Sequence, residues 1–92
     1  MIHLYEDYYC SVDSVGNYTL QIDTHKTDKE GKTIYKSLGF YRSLTNCILF
    51  GLKRQFDVKT LSELDCSLQD AIKVITENDI LVKNILEEKI KE

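Results

Sequence analysis

Ile34-Tyr35-Lys36-Ser37-Leu38-Gly39-Phe40-Tyr41-Arg42-Ser43-Leu44 is the joint at which the chain changes from extended to helical patterning. Ile34, Leu38 and Phe40 share a parity with Lys36, which spoils a simple apolar alternation. Either Lys36 lies at a sheet edge with its stem over apolar surface, or a bulge shifts the parity, and Gly39 is the place for it. Ser43 is a good helix N-cap, because its hydroxyl oxygen can accept from the first unpaired amides. Leu44, Cys47, Ile48, Gly51 and Leu52 then follow i, i+3, i+4, i+7, i+8 spacing and form an apolar stripe. Lys53 and Arg54 suit the last turn of that helix, and Asp57-Val58-Lys59 breaks the pattern. Thr60-Leu61-Ser62-Glu63 has capping-box form and reads as the start of a further short turn.

Upstream of the joint the pattern is β. Residues 2–12 read as a strand, with Glu6-Asp7 the place for an interruption, and with Tyr8, Cys10 and Val12 on one face and Tyr9 and Ser11 on the other. Asp13-Ser14-Val15-Gly16-Asn17 is a turn by composition. Tyr18, Leu20 and Ile22 alternate cleanly with Thr19, Gln21 and Asp23, as in a strand with one wet face. Thr24 to Lys32 is a polar hairpin tip, and the third strand runs from about Thr33 to Tyr41. Downstream, Ser67 caps a helix whose stripe is Leu68, Ala71, Ile72, Ile75, Val82, Ile85 and Leu86.

These elements predict an α+β domain: a three-stranded antiparallel sheet with two main helices packed on one face, in the order β-β-β-α-α. The predicted core is Cys10, Val12, Leu20, Ile22, Leu38, Phe40, Leu44, Ile48, Leu52, Leu68, Ile72 and Ile75. A helix from Leu68 to Lys91 is about 36 Å long at 1.5 Å per residue, against about 17–20 Å for an ordinary strand. Its second half is therefore expected to overhang, with residues 79–92 a protruding tail. Ile80, Leu81, Val82, Ile85, Leu86 and Ile90 must then find cover, by a fold-back at Asn78 or in a partner chain. The reading preferred is a homodimer through Ile80, Leu81, Ile85 and Leu86, with Asn78 as a polar registry position.

The 92 residues form a single domain, 1–92, with one modest core. No apolar run is long enough for a membrane span. The N-terminus lacks the basic start and apolar run of a signal peptide. Cys10, Cys47 and Cys66 form no CxxC, and they read as reduced thiols of a cytoplasmic protein. The net charge of -3 is unevenly spread. Residues 1–23 carry -4, and residues 57–92 also carry -4. Residues 24–56 carry seven basic side chains against two acids. Turn lysines exposed to solvent account for most of that basic third; the sharper reading is a surface for an anionic partner.

Chemistry is sparsely marked. His3 and His25 belong to no metal spacing, so no metal or cofactor is expected. Asp23 and His25, two apart at a strand end, read as a solvated pair. Any chain with several cysteines and histidines permits a Cys–His dyad on paper. Gly31-Lys32-Thr33 is a turn, since no phosphate-loop motif surrounds it. An enzyme is therefore not expected. Tyrosine is enriched, with six against three Phe. Alternation puts Tyr5, Tyr9, Tyr35 and Tyr41 on the face opposite the helices, where with Lys36 and Arg42 they would engage a protein partner. The alternative is a nucleic-acid module using Lys26, Lys29, Lys32, Lys53 and Arg54, disfavoured by the acidic total.

The order strand–strand–strand–helix, with Lys36, Gly39, Phe40, Tyr41, Ser43 and Leu44 at the joint, resembles short proteins carried by phages and prophages of low-GC Gram-positive bacteria. The likeness covers about residues 17–56, and its motif is structural. The same span is similar to the arm-DNA-binding domain of tyrosine recombinases, in which a three-stranded sheet enters the major groove. The acidic first strand and the scarcity of Arg depart from that family. The first resemblance implies a small non-enzymatic protein that binds a host or phage protein, occluding or bridging it. An inhibitor of a host defence protein belongs to this class.

Overall fold

The joint forms much as its residues dictate, with one extra residue that redirects everything around it. In the computed structural model, which describes residues 1–91 and side-chain surroundings through residue 88, four strands form one antiparallel sheet in the order β1-β2-β3-β4. The strands are β1 (Ile2–Tyr5), β2 (Tyr8–Val12), β3 (Tyr18–Thr27) and β4 (Thr33–Tyr41). A continuous helical rod follows: α1 (Leu44–Asn46), a π-helical stretch (Cys47–Leu52) and α2 (Lys53–Ser62). It is followed by α3 (Leu68–Lys91). The α+β class and the antiparallel sheet agree with the sequence reading; the strand count does not. Residues 2–12 are two strands, because Glu6-Asp7 is a tight turn with Glu6 in the left-handed region at φ 46. Neither residue is the Gly or Asn that usually marks such a turn.

The two longer β-turns share one device. In Asp13-Ser14-Val15-Gly16-Asn17, the Asp13 carboxylate accepts from the Val15 and Asn17 amides at 3.0 and 2.9 Å. In Asp28-Lys29-Glu30-Gly31-Lys32, Asp28 accepts from the Glu30 and Lys32 amides at 2.8 and 3.0 Å. The glycine three residues on takes φ 87 in one turn and φ 80 in the other, which a side chain would resist.

Bulges decide which side chains meet the helices. Leu20 pairs with Gly39 and Gln21 with Ser37, so Leu38 is the extra residue on β4. The shift turns Tyr41 and Gly39 towards the helices and Phe40 away. Phe40, expected in the core, is accordingly 75% exposed. A second shift between His3 and Tyr5 brings both Leu4 and Tyr5 to the helix side. The buried core is Leu4, Tyr8, Cys10, Leu20, Cys47, Ile48, Leu52, Phe56, Val82 and Ile85. Ile22, Leu38 and Leu44 pack against it, as predicted, and Val12 at the end of β2 is exposed.

Ser43 caps the rod, its Oγ accepting from the Asn46 amide at 3.0 Å. The rod does not stop at Arg54 but runs to Ser62, so Lys53 and Arg54 lie in its middle. The wide π turn puts Cys47, Ile48, Gly51 and Leu52 all on the buried side. Thr60 caps nothing; its hydroxyl donates back to the Phe56 carbonyl at 2.8 Å. Ser67 does cap α3, accepting from the Asp70 amide at 3.2 Å.

The helix α3 is continuous, and it is anchored by the half expected to be free. Val82 and Ile85 are fully or nearly buried, whereas Leu68 and Ile72, placed in the predicted core, are 77% and 55% exposed. The reason is topological. The rod starts on the sheet and leads away from it, so α3 begins at the far end and returns. Its first turns overhang and its later turns dock. Asn78 neither breaks α3 nor needs a partner chain: its Nδ2 donates to Asp57 Oδ1 at 2.9 Å. Asp57 Oδ2 also accepts from Lys53 Nζ at 2.9 Å, with both side chains largely covered. Removing Asp57 would strand a half-buried ammonium.

The Tyr41 ring lies directly on Gly51 of the π turn. A Cβ at position 51 would stand 2.7 Å from Tyr41 Cε2 and 2.8 Å from Cζ. Gly51→Ala should therefore destabilise the fold by roughly 1–3 kcal/mol from overpacking, against a helix-propensity gain of at most about 1 kcal/mol. In a Tyr41→Leu background the same change should be neutral or stabilising. Urea unfolding of the single and double variants gives this coupling directly.

Candidate functional site

All helical elements pack on one face of the sheet, and the other face is open. Register places His3, Tyr9, Ser11, Thr19, Gln21, Asp23, Tyr35, Ser37 and Phe40 there. No Lys or Arg is among them, and Asp23 is the sole carboxylate in the row. Tyr9 on β2 and Tyr35 on β4 are separated by β3, about 9–10 Å at ordinary strand spacing. Their ring centroids are nevertheless 5.5 Å apart at 75°. The two rings therefore lean over β3 and meet above it, edge to face. His3 extends the row, 5.0 Å from Tyr9. Its Nε2 also bonds the Glu6 carbonyl oxygen at 2.7 Å, which ties the row to the β1–β2 turn. Gln21, paired with Tyr9, has its carbonyl Oε1 enclosed and without a hydrogen bond among the described residues.

The structure thus divides the tyrosines named from sequence. Tyr9 and Tyr35 belong to the open face. Tyr5 and Tyr41 do not, since the two bulges turn them to the helix side. Tyr5 packs edge-on against Phe56 at 5.5 Å, and Tyr41 covers Gly51. Lys36 pairs with Ile22, which also places it on the helix side, at the exposed β4 edge. Arg42 is exposed beyond the end of β4. His3 and Phe40 were not among the partner-binding residues named from sequence, and Phe40 was placed in the core. The β1–β2 turn that pairs His3 with Tyr9 carries no turn signal, and the parity of Phe40 depends on the bulge.

The basic third does not converge. Lys29 and Lys32 lie on the tip turn and Lys26 pairs with Ile34, all exposed. Lys53 is engaged by Asp57 and Arg54 is exposed on α2. Of the residues named for self-association, Ile85 is buried in the chain's own core, and Leu81 and Leu86 pack against it. Ile80 alone of the four is exposed, at 55%. Ile90 lies outside the residues with described side-chain surroundings.

Two of the three thiols are buried. The Cys10 and Cys47 thiols meet in the sheet–helix seam. Burial raises both, and Cys47 is pushed up to about 12, with Cys10 adding to the effect. Thiols held so far from ionisation are poor nucleophiles. Cys66 is exposed in the α2–α3 connection. Among the described residues no three His, Cys, Asp or Glu stand together as a metal site, and no helix is long and apolar enough to cross a membrane. Set against family models, curated proteins and solved structures, the chain matches none.

Asp23 and His25 do not share a side-chain bond. Asp23 Oδ1 accepts from the His25 amide at 2.7 Å, in a bulge where His25 has φ 60. The His25 ring instead reaches Asp7 Oδ2 at 2.9 Å. That hydrogen bond, then the charges of Asp7 and Asp23, hold the imidazole above its usual 6.5. Because folding raises this pKa, the pair supports the fold below pH 6.5 and loses that support as pH rises through the folded value. An NMR titration should show His25 ionising above 6.5, and Asp7→Asn should bring it back towards that value.

Proposed function

We propose that this protein is a small non-enzymatic protein-binding module whose docking surface is the open face of the sheet. The observation that carries this reading is the aromatic row His3, Tyr9 and Tyr35, with Phe40 75% exposed on the same face. Tyrosine supplies large contact area at low entropic cost and is enriched at interface hot spots. Rings that already hold each other lose less freedom when a partner covers them.

The same rings could stack bases, but stacking platforms work beside cations that follow the phosphates. This face presents Asp23 and no Lys or Arg, and the lysines are at the hairpin tip and on the far side. A protein surface is therefore favoured over nucleic acid. Action by occlusion is the mode that an open docking face supports. That the occluded protein belongs to a host defence system rests on the resemblance of the joint to phage accessory proteins.

The test compares the wild-type chain with Tyr9→Ser/Tyr35→Ser and with Phe50→Ser, a helix-side control at a residue 64% exposed. In affinity capture from the source cells, one protein should be retained by wild type and by the control and lost by the double variant. Loss with both variants, or with neither, would count against the open face. Random duplex DNA should not bind at low salt. Binding that falls steeply with salt and disappears on removing Lys26, Lys29 and Lys32 would favour the nucleic-acid reading.

A further inference from the structure

On the helix side, the β1–β2 turn, the second half of α2 and the middle of α3 enclose a groove of about 350 Å³. That volume falls in the usual range for ligand sites, about 300–1,000 Å³. Three rings line it, the half-buried Tyr5 at its mouth and, at its floor, Tyr8 and Phe56, which show only 6% and 8% of their surface. Phe56 meets Tyr5 at 5.5 Å and 75°, and Tyr8 at 5.9 Å and 82°. Glu6, Glu63 and Lys59 stand among the lining residues, and all three are exposed. Two carboxylates against one ammonium leave the groove acidic, and Asp7 lies next to it in the chain. Burial raises the Tyr8 phenol; Lys59 opposes that rise, and Glu6 and Asp7 add to it. Both signs of charge therefore reach the aromatic floor.

We infer that this groove binds an arginine side chain presented by a partner protein. Aromatic rings beside carboxylates suit a guanidinium, which is planar, weakly hydrated and able to stack and hydrogen-bond at once. The groove is open to solvent along its length, so it fits a side chain delivered from another surface better than a free molecule that must be enclosed. An anionic ligand would face Glu6 and Glu63 with Lys59 alone in its favour. Lys59, exposed among the lining residues, is the one cation there, and its charge opposes an arriving guanidinium. The groove and the open face lie on opposite sides of the sheet, so ligands at the two are read separately.

The probes are N-acetyl-arginine-N-methylamide and its citrulline counterpart, which keeps the planar shape and lacks the charge. Each is titrated into the whole chain while the ring resonances of Tyr5, Tyr8 and Phe56 are followed by NMR. The arginine probe should shift these rings saturably and bind about three- to fivefold more tightly than citrulline, the margin of an exposed cation–π contact. Glu6→Gln/Glu63→Gln should bring arginine down to the citrulline level. Lys59→Gln should tighten arginine binding, and none of these surface changes should disturb the fold. Equal binding of the two probes would make the groove merely apolar and overturn the assignment. Weaker arginine binding in Lys59→Gln, or shifts that do not localise to the three rings, would overturn it equally.

Discussion

One inserted residue governs the molecule. Because Leu38 is extra on β4, Tyr41 faces the helices and settles on Gly51, the single place on the rod with room for its ring at that distance. The contact joins the last strand to the π turn, and the π turn carries four of the buried side chains, Cys47, Ile48, Gly51 and Leu52. A regular helix advances 3.6 residues per turn. Cys47, Ile48, Gly51 and Leu52 already share one side at that spacing, and this stretch covers β3 and β4. The same insertion ejects Phe40 onto the open face. The docking of the rod on β4 and the exposure of Phe40 inherit their layout from this departure from period two.

Much of the fold could be read from residue types because the deciding physics was local. The Ser43 and Ser67 caps, the Asp13 and Asp28 turns and the strand from Tyr18 onward each depend on a side chain a few residues away. A bulge at Gly39 was one of two readings of the joint; the extra residue is its neighbour Leu38, and the consequence for Tyr41 and Phe40 was not carried through. The fourth strand was hidden because Glu6 adopts a left-handed turn without glycine, a strain accepted only where flanking strands impose it. Asp57-Val58-Lys59 read as a break because the apolar stripe lapses there. In the structure Asp57 instead bridges Lys53 and Asn78, a polar contact 21 residues apart in sequence that no local pattern announces.

The polarity of α3 followed from a premise about where it starts. Length alone predicts an overhang, and there is one. Which end overhangs depends on the direction of the rod, and a rod that begins at the sheet must return through α3. Val82 and Ile85 thus complete the core, and the apolar side chains of α3 left exposed include Leu68, Ile72 and Ile80. For the candidate surface the limit was similar. Enrichment in tyrosine was visible, but assignment to a face required both bulges, and those moved Tyr5 and Tyr41 to the structural side.

The exposed features are not those of a sheet that merely lacks cover. Sheets are protected first at their edges, where unpaired backbone groups invite pairing with other chains. Here β1 is only four residues long, and β4 carries Lys36 and a bulge, both of which discourage a neighbouring strand. The edges are guarded while the face between them carries ring upon ring. An aromatic face without function would be cheap to make polar, because open positions tolerate substitution with little change in stability. The asymmetry between guarded edges and an unguarded face is what a specific face-on partner requires, since edge-on association would compete with it. It supports recognition across the sheet surface, with Tyr9 and Tyr35 as its centre.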